Sequence, residues 1–492
     1  MISQDAFAQP ELEHSQLSED LKILGEILIE TSPSLSESDQ LRIERALEEK
    51  AQALVGERMN VIEFIELLSE MDLDTGFDEH ASMSLDQDTI RPLLAGTPLF
   101  PLPVLIVGDR LMVNVDHDTV PFGSIIHSIN GEPAERVWRS LSKDHDSFSK
   151  RRIESQFSIR YRFKKEAYDS FHIRFSEPEQ PSTIRETSLD AISIEGWLTQ
   201  MNEHAVYPLK RRRQAELINT NFFPEQDAYY IQVNSFFWDN EFRRSLLNRI
   251  RSDDKNFERE FRRIFREVKD RQAKHLIIDL RHNEGGNLLV PGLLYSYIAR
   301  EPFEEAVNIS IRDFDIPHHE RVVELNGEEV ERLADVEKFI EKFEKEFEET
   351  DSGLLWELVE TAHEPHRHSF SGKVYLLTGG KTFSASAYFA AMFKSQNRGL
   401  IVGDELGGSH QSITAGTDIT YKLPNSQISV TVPLMEVVFA DLLYERVPEN
   451  KIQPDVPLAD DIRIGHMLEK KDPELEEVLR LIGQSGGNSA RQ

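Results

Sequence analysis

The chain contains no cysteine among its 492 residues. Disulfides, zinc sites built from thiolates and cysteine nucleophiles are therefore excluded, and any covalent catalysis must use another residue type. Long apolar runs are also missing, since no window approaches the roughly 18 uncharged apolar residues of a membrane span. Positive charge is scarce, because 56 Lys and Arg stand against 87 Asp and Glu, a formal net charge of -31. This excess of negative charge disfavours nucleic acid as a partner.

The remaining composition is typical of a globular protein, with 39% hydrophobic and 29% charged residues. At this length two or three domains are expected. The first residues, "MISQDAFAQPELEH", lack the basic start and apolar core of a signal peptide. The sequence therefore leaves the location open: periplasmic or secreted if an upstream signal was removed, and cytoplasmic otherwise.

The spacing of apolar residues predicts three regions. In residues 1–97 apolar positions recur three and four apart, which predicts a helical N-terminal module. Residues 98–180 contain short apolar runs broken by turn residues and predict a small β-rich domain, in which "IRYRFKK" is interpreted as a strand. The pair Asn130 and Gly131 in this domain predicts a tight turn after a strand.

The third region, residues 181–485, alternates longer helical patterns with fully apolar strands such as "KHLIIDLR" and "GKVYLLTGG". This alternation predicts a parallel α/β core. Helical segments are expected at about 187–220, and as an acidic insertion at about 320–365, where they would cover a cleft. The predicted protein is thus multidomain and of the α/β class.

Two strand ends in the third region carry residues suited to catalysis. Gly285 and Gly286 follow "LIIDLRHNE", and Ser384 follows "VYLLTGGKTF" at the start of a helical run. Ligands of such sheets sit beyond the carboxyl ends of the strands. Glycine amides can bind a developing oxyanion, and a helix N-terminus favours an anion. Each feature alone has a simpler interpretation: a turn for the glycines, and helix capping for Ser384.

An ordered set of segments carries a resemblance to a known family. The segments are "LIIDLRHNEGG", "GKVYLLTGGKTFSASAYFAAMF", "GLIVGDELGG", "LPNSQISVTVP" and "KIQPDVPL". In this order they resemble the core of the C-terminal processing, or tail-specific, serine peptidases, the family that includes the tricorn core. "FGSIIHSINGEPAERV" resembles the end of that family's PDZ-like domain. The resemblance implies a ClpP- or crotonase-like α/β core and a PDZ-like domain at 98–180.

Carried over residue by residue, the resemblance makes Ser384 the nucleophile and Ser386 the runner-up. The lysine of the family's Ser/Lys branch is missing, because Ser409, His410 and Gln411 follow "GLIVGDELGG". The tricorn-like branch uses a distant histidine instead, and "FDEHASMSL" nominates His80, with His410 as the alternative base.

The resemblance also implies a carboxylate that orients the base, and the oxyanion donors. Glu449 is the first choice for this carboxylate, while Glu445 and Glu436 remain open. The amides of Gly286 or Gly285, together with that of Ala385, would hold the oxyanion.

The implied activity is a serine peptidase that cleaves protein or peptide substrates through an acyl-enzyme, with no metal or organic cofactor. A PDZ-like domain would dock the substrate, through its C-terminus, as an added strand. The rival hypothesis is a catalytically inactive, peptidase-like binding protein for a peptide or an apolar ligand. The oligomeric state is unknown from the sequence.

Overall fold

The computed structural model describes most of the chain. The described residues are 11–33, 37–69, 81–85, 94, 96–142, 144–165, 168–208, 216–238, 246–304, 307–345, 347–350, 353–357, 362–408, 412–414, 417–439 and 452–489.

The helices are distributed along the whole chain. They are α1 (His14–Thr31), α2 (Glu37–Ala53), α3 (Val61–Ser69), α4 (Ala134–Arg139), α5 (Ser147–Lys164), α6 (Ile194–Thr199), α7 (Leu246–Asp270), α8 (Val290–Ser296), α9 (Leu333–Glu344), α10 (Ala385–Ser395), α11 (Asp460–Leu468) and α12 (Pro473–Ser489). Within the described residues, no helix combines the length and the apolar character that crossing a bilayer requires.

The strands form several sheets. They are β1 (Ser82–Ser84), β2 (Val104–Val107), β3 (Arg110–Val113), β4 (Ile125–Ile129), β5 (Glu132–Pro133), β6 (Ser170–Ser176), β7 (Ile184–Asp190), β8 (Ile218–Phe223), β9 (Ala228–Val233), β10 (His275–Asp279), β11 (Phe303–Glu304), β12 (Val307–Ile311), β13 (Val322–Leu325), β14 (Glu328–Glu329), β15 (Glu348–Thr350), β16 (Gly353–Glu357), β17 (Ala362–His363), β18 (Lys373–Thr378), β19 (Gly399–Gly403), β20 (Ser412–Thr414), β21 (Asp418–Lys422), β22 (Ser429–Pro433), β23 (Met435–Phe439) and β24 (Val456–Pro457).

The largest unit is a three-layer α/β core, as predicted from the buried strands. Its sheet has the order β24-β19-β18-β10-β9-β8, in which β9, β10, β18, β19 and β24 are parallel and β8 is an antiparallel edge. Helices α7, α8 and α10 contribute to the large apolar core on one face, and α12 covers the other. Because parallel strands need crossover connections, this layering follows from the strand and helix alternation.

Residues 99–192 contain a separate sheet with its own apolar cluster, here called the β-rich unit. Its sheet has the order β2-β3-β4-β6-β7, with β5 paired to β4. The predicted tight turn is present, since Asn130 has φ 49 and Gly131 has φ 84 between β4 and β5. The interpretation of "IRYRFKK" as a strand is wrong, because these residues end the long helix α5.

The N-terminal module holds α1, α2 and α3, as predicted, and it packs on the core. Asp20 of α1 is fully buried, and its carboxylate accepts hydrogen bonds from the backbone amides of Asn425 (3.1 Å) and Ser426 (2.7 Å). These residues lie in the turn between β21 and β22, and β22 also pairs with β1. The module is therefore joined to the core by α1 and by a shared sheet.

The segments predicted to be helical outside the main core are different in the structure. The described part of residues 320–365 holds one α-helix, α9, with β13 and β14 before it and β15, β16 and β17 after it. Residues 187–220 contain α6 and a short π-helix, Gln200–His204, flanked by β7 and β8. An acidic composition indicates solvent exposure rather than a helix. Pairing of β13 with β21 and of β16 with β12 determines the structure of the 320–365 segment instead.

Candidate active site

Ser384 is the last residue of the loop between β18 and α10, and its backbone conformation is strained. It has φ 54 and ψ -126, a region that residues with a Cβ seldom occupy. Such outliers persist only where the surrounding structure imposes them, and they cluster at functional sites. Ser384 occupies the N-cap position of α10, yet its side chain makes no capping hydrogen bond. The capping interpretation of this serine is therefore wrong.

Ser386, the runner-up nucleophile, lies on the inner side of the same helix. It is fully buried, and its hydroxyl has no hydrogen-bond partner among the described residues. Ser384 is slightly more exposed, at 7%. A nucleophile has to meet a substrate, so the geometry favours Ser384 over Ser386.

The glycine loop after β10 lies directly against Ser384. A Cβ placed on Gly285 would be 2.7 Å from the Cβ of Ser384 and 3.0 Å from the amide nitrogen of Ala385. Gly285 also has φ 105. No larger residue fits there without moving Ser384, so glycine is required by both its conformation and its contact.

Hydrogen bonding separates the oxyanion candidates. The Gly285 amide donates to the side-chain oxygen of Asn283 (2.9 Å), and is therefore occupied. The amide of Phe236 donates to the carbonyl of Gly285 (2.8 Å), and the carbonyl of Phe236 accepts from the amide of Asn287 (3.2 Å). Gly286 lies between these two bonded residues, and its own amide takes part in neither bond. Among the described residues, no acceptor takes the amides of Gly286 or Ala385. These two amides remain as the donors best suited to an oxyanion.

Asn283 and Thr382 connect the two loops, and sequence reasoning missed both. The carbonyl of Asn283 accepts from the amide of Phe383 (3.2 Å), next to Ser384. The Thr382 hydroxyl donates to the carbonyl of Leu280 (3.0 Å) and accepts from the amide of Gly379 (3.0 Å). Asn283 lies in the "RHNEGG" loop of the sequence. A polar side chain so close to two glycines was the feature from which its role in the loop could have been predicted.

Other predicted residues lie outside the described part of the chain. His80, His410, Glu445 and Glu449 all fall there. Glu436, the remaining carboxylate, is half-buried on β23, between β12 and β20. That sheet differs from the one whose strands precede Gly285 and Ser384. The identity of the base and of its orienting carboxylate stays a prediction.

Below the glycine loop lies a buried chain of charges. Arg281 pairs with Asp279 (2.7 Å), Asp472 (2.8 Å) and Glu474. Glu474 also pairs with Arg463. Every member of this network is buried, so it braces the carboxyl end of β10. The network ties the start of the glycine loop to α11 and α12.

The same network reaches the β-rich unit through Asp404. Asp404 pairs with Arg463 and with Arg151 (3.0 Å) of α5. Burial alone would raise the pKa of Asp404, but the guanidinium groups of Arg463 and Arg151 hold the pKa of this carboxyl below its ordinary value. A cavity of about 290 Å³ lies beside these residues, lined among others by Leu105, Lys381 and Thr378.

The site thus combines a strained serine at a helix N-terminus, whose hydroxyl makes no capping bond, with two backbone amides that no described acceptor takes. These features suit hydrolysis through a serine nucleophile. Residues 227–458 match the model of peptidase family S41, so the chain carries a domain of this family. Members of the family are serine peptidases, and the protein is therefore a serine-type peptidase acting on protein or peptide substrates.

Several solved structures are similar to this chain, and one of them supports the fold. Mature CPAF in complex with lactacystin superposes with a TM-score of 0.62 at 15% identity, covering 96% of this chain and 99% of that one. The photosystem II D1 C-terminal processing protease gives 0.40 at 12% identity, covering 94% and 97%. The tricorn protease gives 0.39 at 15% identity, covering 96% and 37%. No curated protein matches the chain in sequence. The likeness to mature CPAF shows a shared fold and nothing more.

Proposed function

We propose that Ser384 is the nucleophile of this peptidase and attacks the carbonyl carbon of a substrate peptide bond. The hydroxyl proton passes to His80 and then to the leaving amine, while the amides of Gly286 and Ala385 hold the oxyanion. Water then hydrolyses the acyl-enzyme ester and restores the hydroxyl. Glu449 orients His80 in this proposal, with Glu445 and Glu436 as alternatives, and His410 is the alternative base.

One observation carries this proposal: a serine with φ 54 whose hydroxyl makes no capping bond at a helix N-terminus. A serine kept only for capping would use its hydroxyl on the free amides of the first turn. A serine kept only for packing would not need a conformation that costs about 1 to 3 kcal/mol. The position of Gly285 against Ser384 supports the same assignment.

We infer that a substrate does not dock as a strand beside β2. The polar groups on that edge are already bonded by side chains of α5, including the bond from the Ile106 amide to Glu154 (2.7 Å). In the described part of the β-rich unit, β7 is the other end of the sheet, and six of its seven residues are exposed or half-buried. If this PDZ-like region takes a substrate C-terminus by strand addition, β7 offers the free edge.

A fluorophosphonate probe tests the nucleophile. Native protein should be labelled at Ser384, and Ser384→Ala should lose both labelling and turnover of an unstructured protein such as casein. Ser386→Ala is the matched control and should keep both. Labelling that survives Ser384→Ala would refute the assignment.

The base is tested by single substitutions measured on the same substrate. His80→Ala should lower kcat by two or more orders of magnitude, roughly the contribution of a general base. His410→Ala should leave kcat near the native value. The reverse result would transfer the role of base to His410.

A further inference from the structure

Helix α5 of the β-rich unit begins in contact with the nucleophile loop of the core. A Cβ placed on Gly380 would be 2.3 Å from the carbonyl oxygen of Ser147 and 2.8 Å from the amide nitrogen of Phe148. The ring of Phe148 stacks on that of Phe383, with centroids 5.2 Å apart and planes at 20°. Phe383 immediately precedes Ser384. Phe148 of the β-rich unit therefore contacts the residue next to the proposed nucleophile.

Phe383 is enclosed from more than one direction. A Cβ placed on Gly408 would be 3.1 Å from Cδ2 of Phe383 and 2.9 Å from the amide nitrogen of Ser384. A Cβ placed on the neighbouring Gly407 would be 3.0 Å from Cδ2 of Phe148. The guanidinium of Arg152 lies over the ring of Phe148, 5.6 Å from the ring centroid. The Phe383 ring is therefore packed between the Gly408 backbone and Phe148.

The helix itself is fixed along its length to the β2 edge. Lys150 donates to the carbonyl of Gly108 (3.0 Å), Glu154 accepts from the amide of Ile106, and Ser158 donates to the carbonyl of Phe100 (2.7 Å). These three side chains are four residues apart and so share one face of α5. The helix cannot slide along β2 without breaking all three bonds.

A second set of contacts fixes α5 to the core. Arg151 bonds both oxygens of Glu154 (3.0 and 2.8 Å) and also bonds Asp404 (3.0 Å), which follows β19. The carboxylate of Glu154 raises the pKa of Arg151 above its ordinary value, so the guanidinium stays charged. Arg151 thus joins the β-rich unit to the core one helical turn from Phe148.

We propose that Phe148 is a positioning residue for Ser384, and that α5 is the element through which the β-rich unit keeps the nucleophile in its strained conformation. The inference rests on the proposed function of Ser384. A residue at φ 54 relaxes if its neighbours allow it to, and the Phe148 ring blocks the movement of Phe383 that relaxation would need. Loss of the ring therefore displaces the hydroxyl from the amides of Gly286 and Ala385.

The experiment separates positioning from substrate docking by using a small probe. The rate of fluorophosphonate labelling reports on the hydroxyl and does not depend on how a protein substrate docks. Phe148→Ala should lower this rate and kcat by about 10-fold or more, since small misplacements of a reacting group have effects of that size, while KM changes less than twofold. Phe148→Tyr should restore most of the rate, because it keeps the stacked ring.

Phe163→Ala is the matched control. Phe163 is a half-buried phenylalanine on the same helix, and it packs against a separate apolar cluster that includes Leu99 and Trp197. It should keep the native labelling rate. If Phe148→Ala does not fold, Phe148→Leu keeps apolar volume without the stacking and should still slow labelling.

The outcomes separate this inference from the proposed function. Native protein that is not labelled at Ser384 would overturn both. Native protein that is labelled, with Phe148→Ala or the folded Phe148→Leu equally fast, would overturn the role of Phe148 alone. An equal loss in Phe163→Ala would also overturn it, because the effect would then be a general weakening of the unit.

Discussion

At the scale of single residues, Ser384 is held in place by bonds to its neighbours. The amide of Phe383 before it donates to the carbonyl of Asn283, and its own carbonyl accepts from the amide of Tyr388 (3.1 Å). The Gly285 and Gly408 backbones lie on either side. Strain of about 1 to 3 kcal/mol is thus balanced by contacts made elsewhere in the core. Such a position should show opposite effects of one substitution on stability and on activity.

Ser384→Gly tests this directly. Glycine adopts positive φ without steric strain, although its unfolded chain has more entropy to lose. We expect the variant to gain about 1 kcal/mol in free energy of unfolding, measured by urea denaturation, and to lose all turnover. Ser384→Ala is the control, since it keeps the Cβ and should have nearly native stability. A glycine variant no more stable than the alanine variant would contradict the strain.

The sequence predicted part of this residue-scale picture. Strand ends and glycine spacing, together with the family resemblance, predict that Ser384, Gly285 and Gly286 belong to one site. The occupied Gly285 amide was not predictable, because it depends on the rotamer of Asn283. The contact of Phe148 with Phe383 was not predictable either, since the two residues lie 235 positions apart in the sequence (383 − 148) and meet only in the folded chain.

At the scale of elements, α5 shows why one segment was assigned to the wrong structure. Its residues bond the β2 edge through Glu154, the core through Arg151 and the nucleophile loop through Phe148. A helix with partners on several sides has no single apolar stripe. The spacing of its apolar residues therefore lacks the helical period from which a helix is predicted. The strands β10 and β18 are buried on both faces, and their continuous apolar runs made them predictable.

The charges that join α5 to α11 and α12 predict a pH dependence of stability. The guanidinium groups around Asp404 lower its pKa from 3.8 against the effect of burial, and those around Glu474 lower its pKa from 4.5 in the same way. Groups with depressed folded-state pKa values contribute stability above their unfolded pKa, and lose it as the pH falls through the folded pKa. Stability from this network should therefore be intact at pH 7 and decrease below about pH 4.

Asp404→Asn isolates this contribution. The variant should be less stable than the native protein at pH 7, because Arg151 and Arg463 lose a half-buried partner, at a cost of about 1 to 3 kcal/mol. The difference between the two proteins in free energy of unfolding should narrow as the pH falls from about 4 to about 2, because the unfolded chain takes up a proton near its ordinary pKa while the native carboxyl does so only at lower pH. Urea denaturation at each pH measures it. A difference that stays constant over this range would contradict the assigned charge state.

At the scale of the whole molecule, the formal net charge is -31, and few charged side chains of the described residues are buried. Exposed pairs, such as Lys22 with Glu26 at 3.6 Å, are screened by solvent and contribute little. By contrast, the buried Arg281 and Arg463 and the half-buried Arg151 are each paired with carboxylates. The molecule therefore combines a network of paired, largely buried charges with an exposed surface of net negative charge, whose side chains repel one another.

Salt should raise the thermal stability of this protein. At pH 7.5, increasing NaCl from 10 to 300 mM shortens the Debye length from about 30 Å to below 10 Å, and so screens the surface repulsion. We expect Tm, measured by circular dichroism, to rise by several degrees. The control is the same titration at pH 5, near the sequence pI of about 5.0, where the net charge is small and the rise should disappear. An equal rise at both pH values would assign the effect to general ion exclusion, and the repulsion of the acidic surface would then be ruled out as a major destabilising force.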